Sequence, residues 1–77
     1  MAFVETVKEI RKDRCSVHEP AECTYTVFAA DDGAKYLQLD SYGSRKRKLT
    51  GKISQTLQFN KASALELRTI IDREFGR

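Results

Sequence analysis

Residues 35–59, KYLQLDSYGSRKRKLTGKISQTLQF, decide the fold of this 77-residue chain. Two runs of alternating apolar and polar residues flank a short loop rich in lysine and arginine. Successive side chains of a strand point to opposite faces of a sheet, so each run predicts a half-buried strand with one apolar and one polar face. The apolar side chains expected on one face are Leu37, Leu39, Ile53, Leu57 and Phe59.

A further strand is predicted immediately before this stretch. Residues 23–30 are rich in β-branched and aromatic side chains, which favour strands. The pair Asp32-Gly33 separates this run from the strand at 35–42. Such a pair between two strand-like runs is a strong hairpin signal, because glycine accepts the positive φ that tight turns require. We therefore expect these two strands to pair antiparallel.

The end of the chain predicts a helix. Asn60 is a good N-cap, since its side chain can accept from the free amides of the first turn, and good helix formers follow it. Gly76 suits the position just beyond the helix end. The apolar stripe of this helix is expected to comprise Ala64, Leu67, Ile71 and Phe75, widened by Ile70 and Leu65. It should lie across the apolar face of the strands and leave the polar face to solvent or to a ligand.

The N-terminal segment, residues 3–14, fits two interpretations. Phe3, Val4, Val7 and Ile10 recur at intervals of one, three and three residues, which favours a helix. The same valines, with Thr6, also suit an edge strand. The sequence thus predicts one α+β domain over residues 1–77, an antiparallel sheet of three strands, or four, packed on a C-terminal helix, with the N-terminal segment a helix or an edge strand.

Length and composition bound the remaining possibilities. A core of this size is usually marginal, so a covalent staple, a metal or a partner chain is a reasonable expectation. In the last case, Leu65, Ile70 and Phe75 could be buried in a homodimer. No apolar run approaches membrane-spanning length, so no membrane role is expected. The start MAFVETVKEI lacks the pattern of a signal peptide, and we therefore expect a cytoplasmic protein.

The charge is concentrated in one loop. Residues 41–52 carry five of the fourteen basic residues and no acid, which leaves nine basic and eleven acidic residues elsewhere, a net of −2. A mildly acidic domain with one cationic loop predicts an anionic partner for that loop.

The polar strand face and the cationic loop together predict a nucleic-acid-binding surface. Flexible cations suit phosphates, and exposed rings stack on the bases of a single strand. Tyr36 and Tyr42 would supply the rings, unless they pack as ordinary cross-strand pairs. The candidate nucleic-acid-binding residues are Tyr36, Gln38, Tyr42, Arg45, Lys46, Arg47, Lys48, Lys52, Ser54, Thr56 and Gln58.

Catalysis and metal binding find little support in the sequence. The chain has one histidine and lacks a nucleophile-elbow or phosphate-cradling glycine motif, so we expect no enzymatic activity. Asp40 is expected to be a hydrogen-bond partner. Without a signal peptide, Cys15 and Cys23 are expected to be reduced thiols. Together with His18 they offer three soft ligands where a structural zinc site takes four, so we expect no metal and no cofactor; the alternative is a site completed by Asp, Glu or a second subunit.

The segment KYLQLDSYGSRKRKLTGKISQTLQFNKASALELRTII resembles the single-stranded-DNA-binding transcriptional coactivators, the positive-cofactor-four-like family with a Whirly-like fold. In that family, a strand ending in an aromatic residue leads through a basic loop to a Gly-Lys pair, followed by an alternating strand and a dimerisation helix. Residues 36–42, Gly51-Lys52, 53–59 and 61–75 take those places here. The resemblance implies that Tyr42, Lys52 and the basic loop contact single-stranded DNA, and that the last helix forms a homodimer.

The alternative is a protein-interaction module, a small regulator or inhibitor. Its basic loop would meet an acidic partner protein, and its edge strand or tyrosine-bearing face would provide the contact surface. Salt-dependent binding to single-stranded DNA would distinguish the two functions.

Overall fold

A computed structural model describes residues 1–43 and 51–76. Its elements are β1 (Ala2–Val4), β2 (Cys23–Ala29), β3 (Lys35–Tyr42), β4 (Ile53–Phe59) and α1 (Lys61–Phe75). The strands form one sheet in the order β1-β4-β3-β2. The β2–β3 and β3–β4 pairs are antiparallel, whereas β1 is parallel to β4. The predicted α+β class is therefore confirmed, with a four-stranded, mostly antiparallel sheet and one C-terminal helix.

The predicted hairpin joins β2 to β3. Gly33 has a φ of 86°, which an L-residue rarely adopts, and its amide donates to the Ala30 carbonyl at 2.8 Å. The Asp32 Oδ1 accepts from the amide of Ala34 at 2.9 Å and closes the turn. This short connection sets the register of the two strands, which pairs Phe28 with Tyr36.

The N-terminal segment is not a helix, so the favoured interpretation was wrong. Residues 2–4 form an edge strand beside residues 57–59 of β4, and residues 5–22 belong to neither helix nor strand. The edge of β4 offers backbone donors and acceptors to an extended segment, and such tertiary pairing overrides a weak helical periodicity. The edge-strand alternative was correct for this short stretch.

A β-bulge changes the alternation at the start of β4. Ser41 pairs with Gln55, but the next residue, Tyr42, pairs with Ile53, so Ser54 is the extra residue. Cross-strand partners share a face of the sheet, which places Ile53 on the same face as Tyr42. The prediction that Ile53 joins the apolar face was therefore wrong, and its side chain is 46% exposed.

The predicted cap begins α1. Asn60 Oδ1 accepts from the Ser63 amide at 2.9 Å, and the Asn60 amide donates to Ser63 Oγ at 3.1 Å. This reciprocal capping box satisfies two backbone donors at the helix start. At the other end, the Gly76 amide donates to the Asp72 carbonyl at 3.0 Å.

The helix covers only one end of the apolar sheet face. Since a single residue separates β4 from α1, the first helical turns lie beside Leu37 and Phe59, where a groove of about 920 Å³ remains between helix and sheet. Within residues 1–43 and 51–76, Phe59 is the only buried apolar side chain. The expected full coverage was wrong, since the helix begins one residue after β4 and Leu57 on this face stays 42% exposed. Exposed apolar and aromatic side chains include Tyr25, Val27 and Leu57 on the apolar face of the sheet and Leu65, Ile71 and Phe75 on α1.

The later turns of α1 lie beside the extended N-terminal segment. Residues 7–10 and the helical residues Glu66, Thr69, Ile70 and Arg73 line a shared groove. No helix in the part of the chain that the structure describes is long and apolar enough to cross a membrane.

Candidate nucleic-acid interface

The polar face of the sheet brings together side chains from all four strands. Between β2 and β3, the cross-strand pairs on this face are Thr24 with Asp40, Thr26 with Gln38, and Phe28 with Tyr36. Between β3 and β4, they are Gln38 with Gln58 and Asp40 with Thr56. Phe3 of β1 pairs with Gln58 and so shares this face. Tyr36, Gln38, Thr56 and Gln58, which the sequence predicted as binding residues, are therefore neighbours.

Four of these side chains form a continuous hydrogen-bonded group, here called the polar row: Gln58, Gln38, Asp40 and Thr56. Gln58 Nε2 donates to Gln38 Oε1 at 2.9 Å, and Gln38 Nε2 donates to Asp40 Oδ2 at 3.1 Å. Thr56 Oγ1 donates to Asp40 Oδ1 at 2.7 Å. Asp40 and Thr56 are buried, and the carboxylate acts as the shared acceptor. The expectation that Asp40 is a hydrogen-bond partner is thus confirmed.

At one end of the polar row lies an aromatic cluster of Phe3, Tyr36 and Phe28. The Tyr36 ring meets Phe3 edge-on at a centroid distance of 5.9 Å and stacks with Phe28 at 5.7 Å. Tyr36 is half-buried between its neighbours, whereas Phe3 is 47% and Phe28 38% exposed. The most accessible rings on this face are thus phenylalanines that the candidate residues did not include.

The sequence held a signal for one of these two residues. The Asp32-Gly33 turn fixes the hairpin register, and counting outward from it places Phe28 opposite Tyr36. Phe3 was missed because its segment was interpreted as a helix, and the pairing of β1 with β4 is not encoded locally.

Tyr42 lies at the opposite end of β3 from Tyr36. Its hydroxyl is 3.1 Å from Thr24 Oγ1, and the ring is half-buried. The two tyrosines are six positions apart on β3, which corresponds to about 20 Å along an antiparallel strand. They therefore do not form one stacking pair but bracket the polar row.

The remaining predicted residues lie near Tyr42 or outside the described part of the chain. Lys52 and Ser54 are exposed at the start of β4, beside Ile53, the cross-strand partner of Tyr42. The predicted loop cations Arg45, Lys46, Arg47 and Lys48 lie outside the described residues.

The two cysteines are exposed free thiols. Among residues 1–43 and 51–76, no cluster of three or more His, Cys, Asp or Glu side chains is arranged to hold a metal ion.

Comparison of the chain with protein-family models, with curated proteins and with solved structures found no match. The structure is a four-stranded mixed sheet with one helix, and the polar face of the sheet carries partly exposed aromatic rings. The resemblance to single-stranded-DNA-binding coactivators stays a prediction from the sequence.

Proposed function

We propose that this protein binds single-stranded nucleic acid, specifically single-stranded DNA, on the polar face of its sheet. The observation that carries the proposal is the aromatic cluster, which offers two partly exposed phenylalanine rings beside the polar row. A base stacked on an aromatic side chain contributes about 1–3 kcal/mol and needs no particular base identity. Exposed rings on a polar face are otherwise costly to leave in water.

The polar row favours contact with bases over contact with phosphates. Asp40 lies at its centre, and a carboxylate repels phosphate groups. Gln58 uses one of its amide hydrogens within the row and is only partly buried, so its second N–H and its carbonyl are available to base edges. Bases would therefore lie over the face, and phosphates would be contacted by Lys52 and by the cations that the sequence predicts for this role at residues 45–48.

A salt titration with labelled single-stranded DNA tests this proposal. We expect binding at low salt that weakens as salt rises, since loop cations release counterions from the DNA. The matched duplex should bind less tightly, because its bases are already stacked and cannot reach the rings. Failure to bind the single strand at low salt would reject the proposal and leave the protein-interaction module, with an acidic partner, as the alternative.

A homodimer through α1 is part of the same proposal. Leu65, Ile71 and Phe75 of α1 are exposed and would be covered by the second copy. Ile70, by contrast, is half-buried beside the N-terminal segment and is a poorer interface residue than the sequence indicated.

A further inference from the structure

Within the described residues, strand β2 forms an unprotected edge of the sheet. It is the last strand in the order β1-β4-β3-β2, and all seven of its residues, CTYTVFA, are exposed. Protein edges are normally guarded by charged side chains, proline, bulges or short length. None of these devices occurs within β2, and its pairing with β3 is regular throughout.

The hydrogen-bond pattern identifies the free backbone groups. The Glu22 carbonyl accepts from the Tyr42 amide at 3.0 Å, and the Ala30 amide donates to the Ala34 carbonyl at 2.8 Å. Backbone hydrogen bonds form at every second residue of an antiparallel pair, so the N–H and C=O groups of the even-numbered residues of β2 point toward β3. The N–H and C=O groups that point outward therefore belong to Cys23, Tyr25, Val27 and Ala29.

Acidic residues bracket this uncharged strand. Glu22 directly precedes it, and Asp31 and Asp32 follow one residue beyond its end. Residues 15–34 contain four acids and no lysine or arginine. On its inner side, β2 pairs with β3, whose first residue is the cation Lys35 opposite Ala29. A strand with a basic end is therefore already accepted next to β2.

The same flanking acidic residues disfavour pairing of β2 with the β2 strand of a second copy. An antiparallel pair centred on Thr26 would place Glu22 of one copy opposite Ala30 of the other, at the strand end that Asp31 and Asp32 follow. Like charges gathered at one end of a strand pair are unfavourable, and charged residues that flank an apolar strand suppress self-association.

We propose that the β2 edge binds an extended segment of a partner protein, an uncharged strand with basic residues at both ends, which adds a fifth strand to the sheet. Backbone bonds to Tyr25 and Val27 would hold the segment, and its basic ends would meet Glu22 at one end and Asp31 and Asp32 at the other. The site is separate from the polar face, so the inference does not depend on nucleic-acid binding.

The test uses two labelled peptides with the full chain. Both have a core of alternating threonine and valine; one has a Lys-Arg pair at each end and the other a Glu-Glu pair. At low salt we expect the basic-ended peptide to bind on the order of tenfold more tightly, with the difference shrinking as salt rises. Slowed amide exchange at Tyr25 and Val27, measured by NMR, would locate the peptide on the edge. Equal affinity for the two peptides, or binding of neither, would overturn the proposal.

Two variants separate edge pairing from general attraction to acidic groups. Val27→Pro removes an outward-facing N–H without touching a bond to β3, so it should weaken peptide binding, whereas Val27→Thr keeps the N–H and should bind normally. The charge reversal Glu22→Lys with Asp31→Lys should bind the acidic-ended peptide instead, which keeps the test valid if the proline variant does not fold. Unchanged binding by a folded Val27→Pro variant would exclude the edge. If the protein self-associates and Val27→Pro abolishes that self-association, a second copy of the chain occupies the β2 edge, and the proposal is overturned.

Discussion

Phe28 and Tyr36 face each other across the β2–β3 pair with their ring centroids 5.7 Å apart and an interplanar angle of 26°. Phe3 meets Tyr36 from the other side, so a partly buried tyrosine orients two more accessible rings. Because this arrangement lies on the polar face, it presents stacking surfaces next to side chains that can bond base edges.

Replacing Phe28 should weaken the binding of single-stranded DNA. We expect Phe28→Ala to raise the Kd about tenfold, because one stacking contact is lost. Fluorescence anisotropy with a labelled oligothymidine measures the change. Tyr25→Ala is the matched control, since Tyr25 is also an exposed ring on β2 but lies on the opposite face. An equal effect of the two substitutions would argue against the aromatic cluster as the stacking site.

The basic loop should determine the salt dependence of binding. Arg45→Ala combined with Arg47→Ala should reduce the slope of log K against log salt by about 0.7 for each lost phosphate contact. Arg68→Ala combined with Arg73→Ala removes the same charge from α1 and should leave the slope close to that of the unmodified protein. If the helix variant changes the slope as much as the loop variant, the cations act through net charge alone.

Removing the Asp40 carboxylate should destabilise the fold. Asp40→Ala leaves the hydroxyl of buried Thr56 and an amide hydrogen of Gln38 without their acceptor, so we expect a loss of about 1–3 kcal/mol in the free energy of unfolding. Urea denaturation followed by circular dichroism measures it. Asp72→Ala removes an acid from an exposed pair with Arg68, and its effect should stay below about 1 kcal/mol. Similar losses for both variants would contradict a structural role of the polar row.

The Asn60 cap should contribute measurably to stability. Asn60→Ala removes the acceptor for the Ser63 amide and should cost about 1 kcal/mol, whereas Asn60→Asp retains it and should cost little. Thermal unfolding of the three proteins gives the comparison. Identical melting of Asn60→Ala and Asn60→Asp would show that the cap does not stabilise α1.

The exposed apolar side chains of α1 predict a dimer. Sedimentation equilibrium should return twice the 8.8 kDa chain mass, and Leu65→Ser combined with Ile71→Ser should shift the population toward monomer. Ile10→Ser, a change at an exposed apolar residue outside the helix, should leave the mass unchanged. A monomer at high protein concentration would reject the dimer.

The sequence by itself determined the elements whose signals are local. The alternation in β3 and β4, the Asp32-Gly33 turn and the Asn60 cap each act within a few residues, and the structure has these elements close to their predicted bounds. The pairing of Phe28 with Tyr36 also follows from that turn, because the turn fixes the register of the hairpin.

Only the tertiary structure decided how these elements meet. The strand at residues 2–4 forms because β4, more than fifty residues later, offers a backbone edge. The bulge at Ser54 reverses the face of Ile53, and the one-residue connection at Asn60 places α1 over one end of the sheet. Each outcome depends on contacts between residues distant in sequence, and residue periodicity within a segment does not encode such contacts.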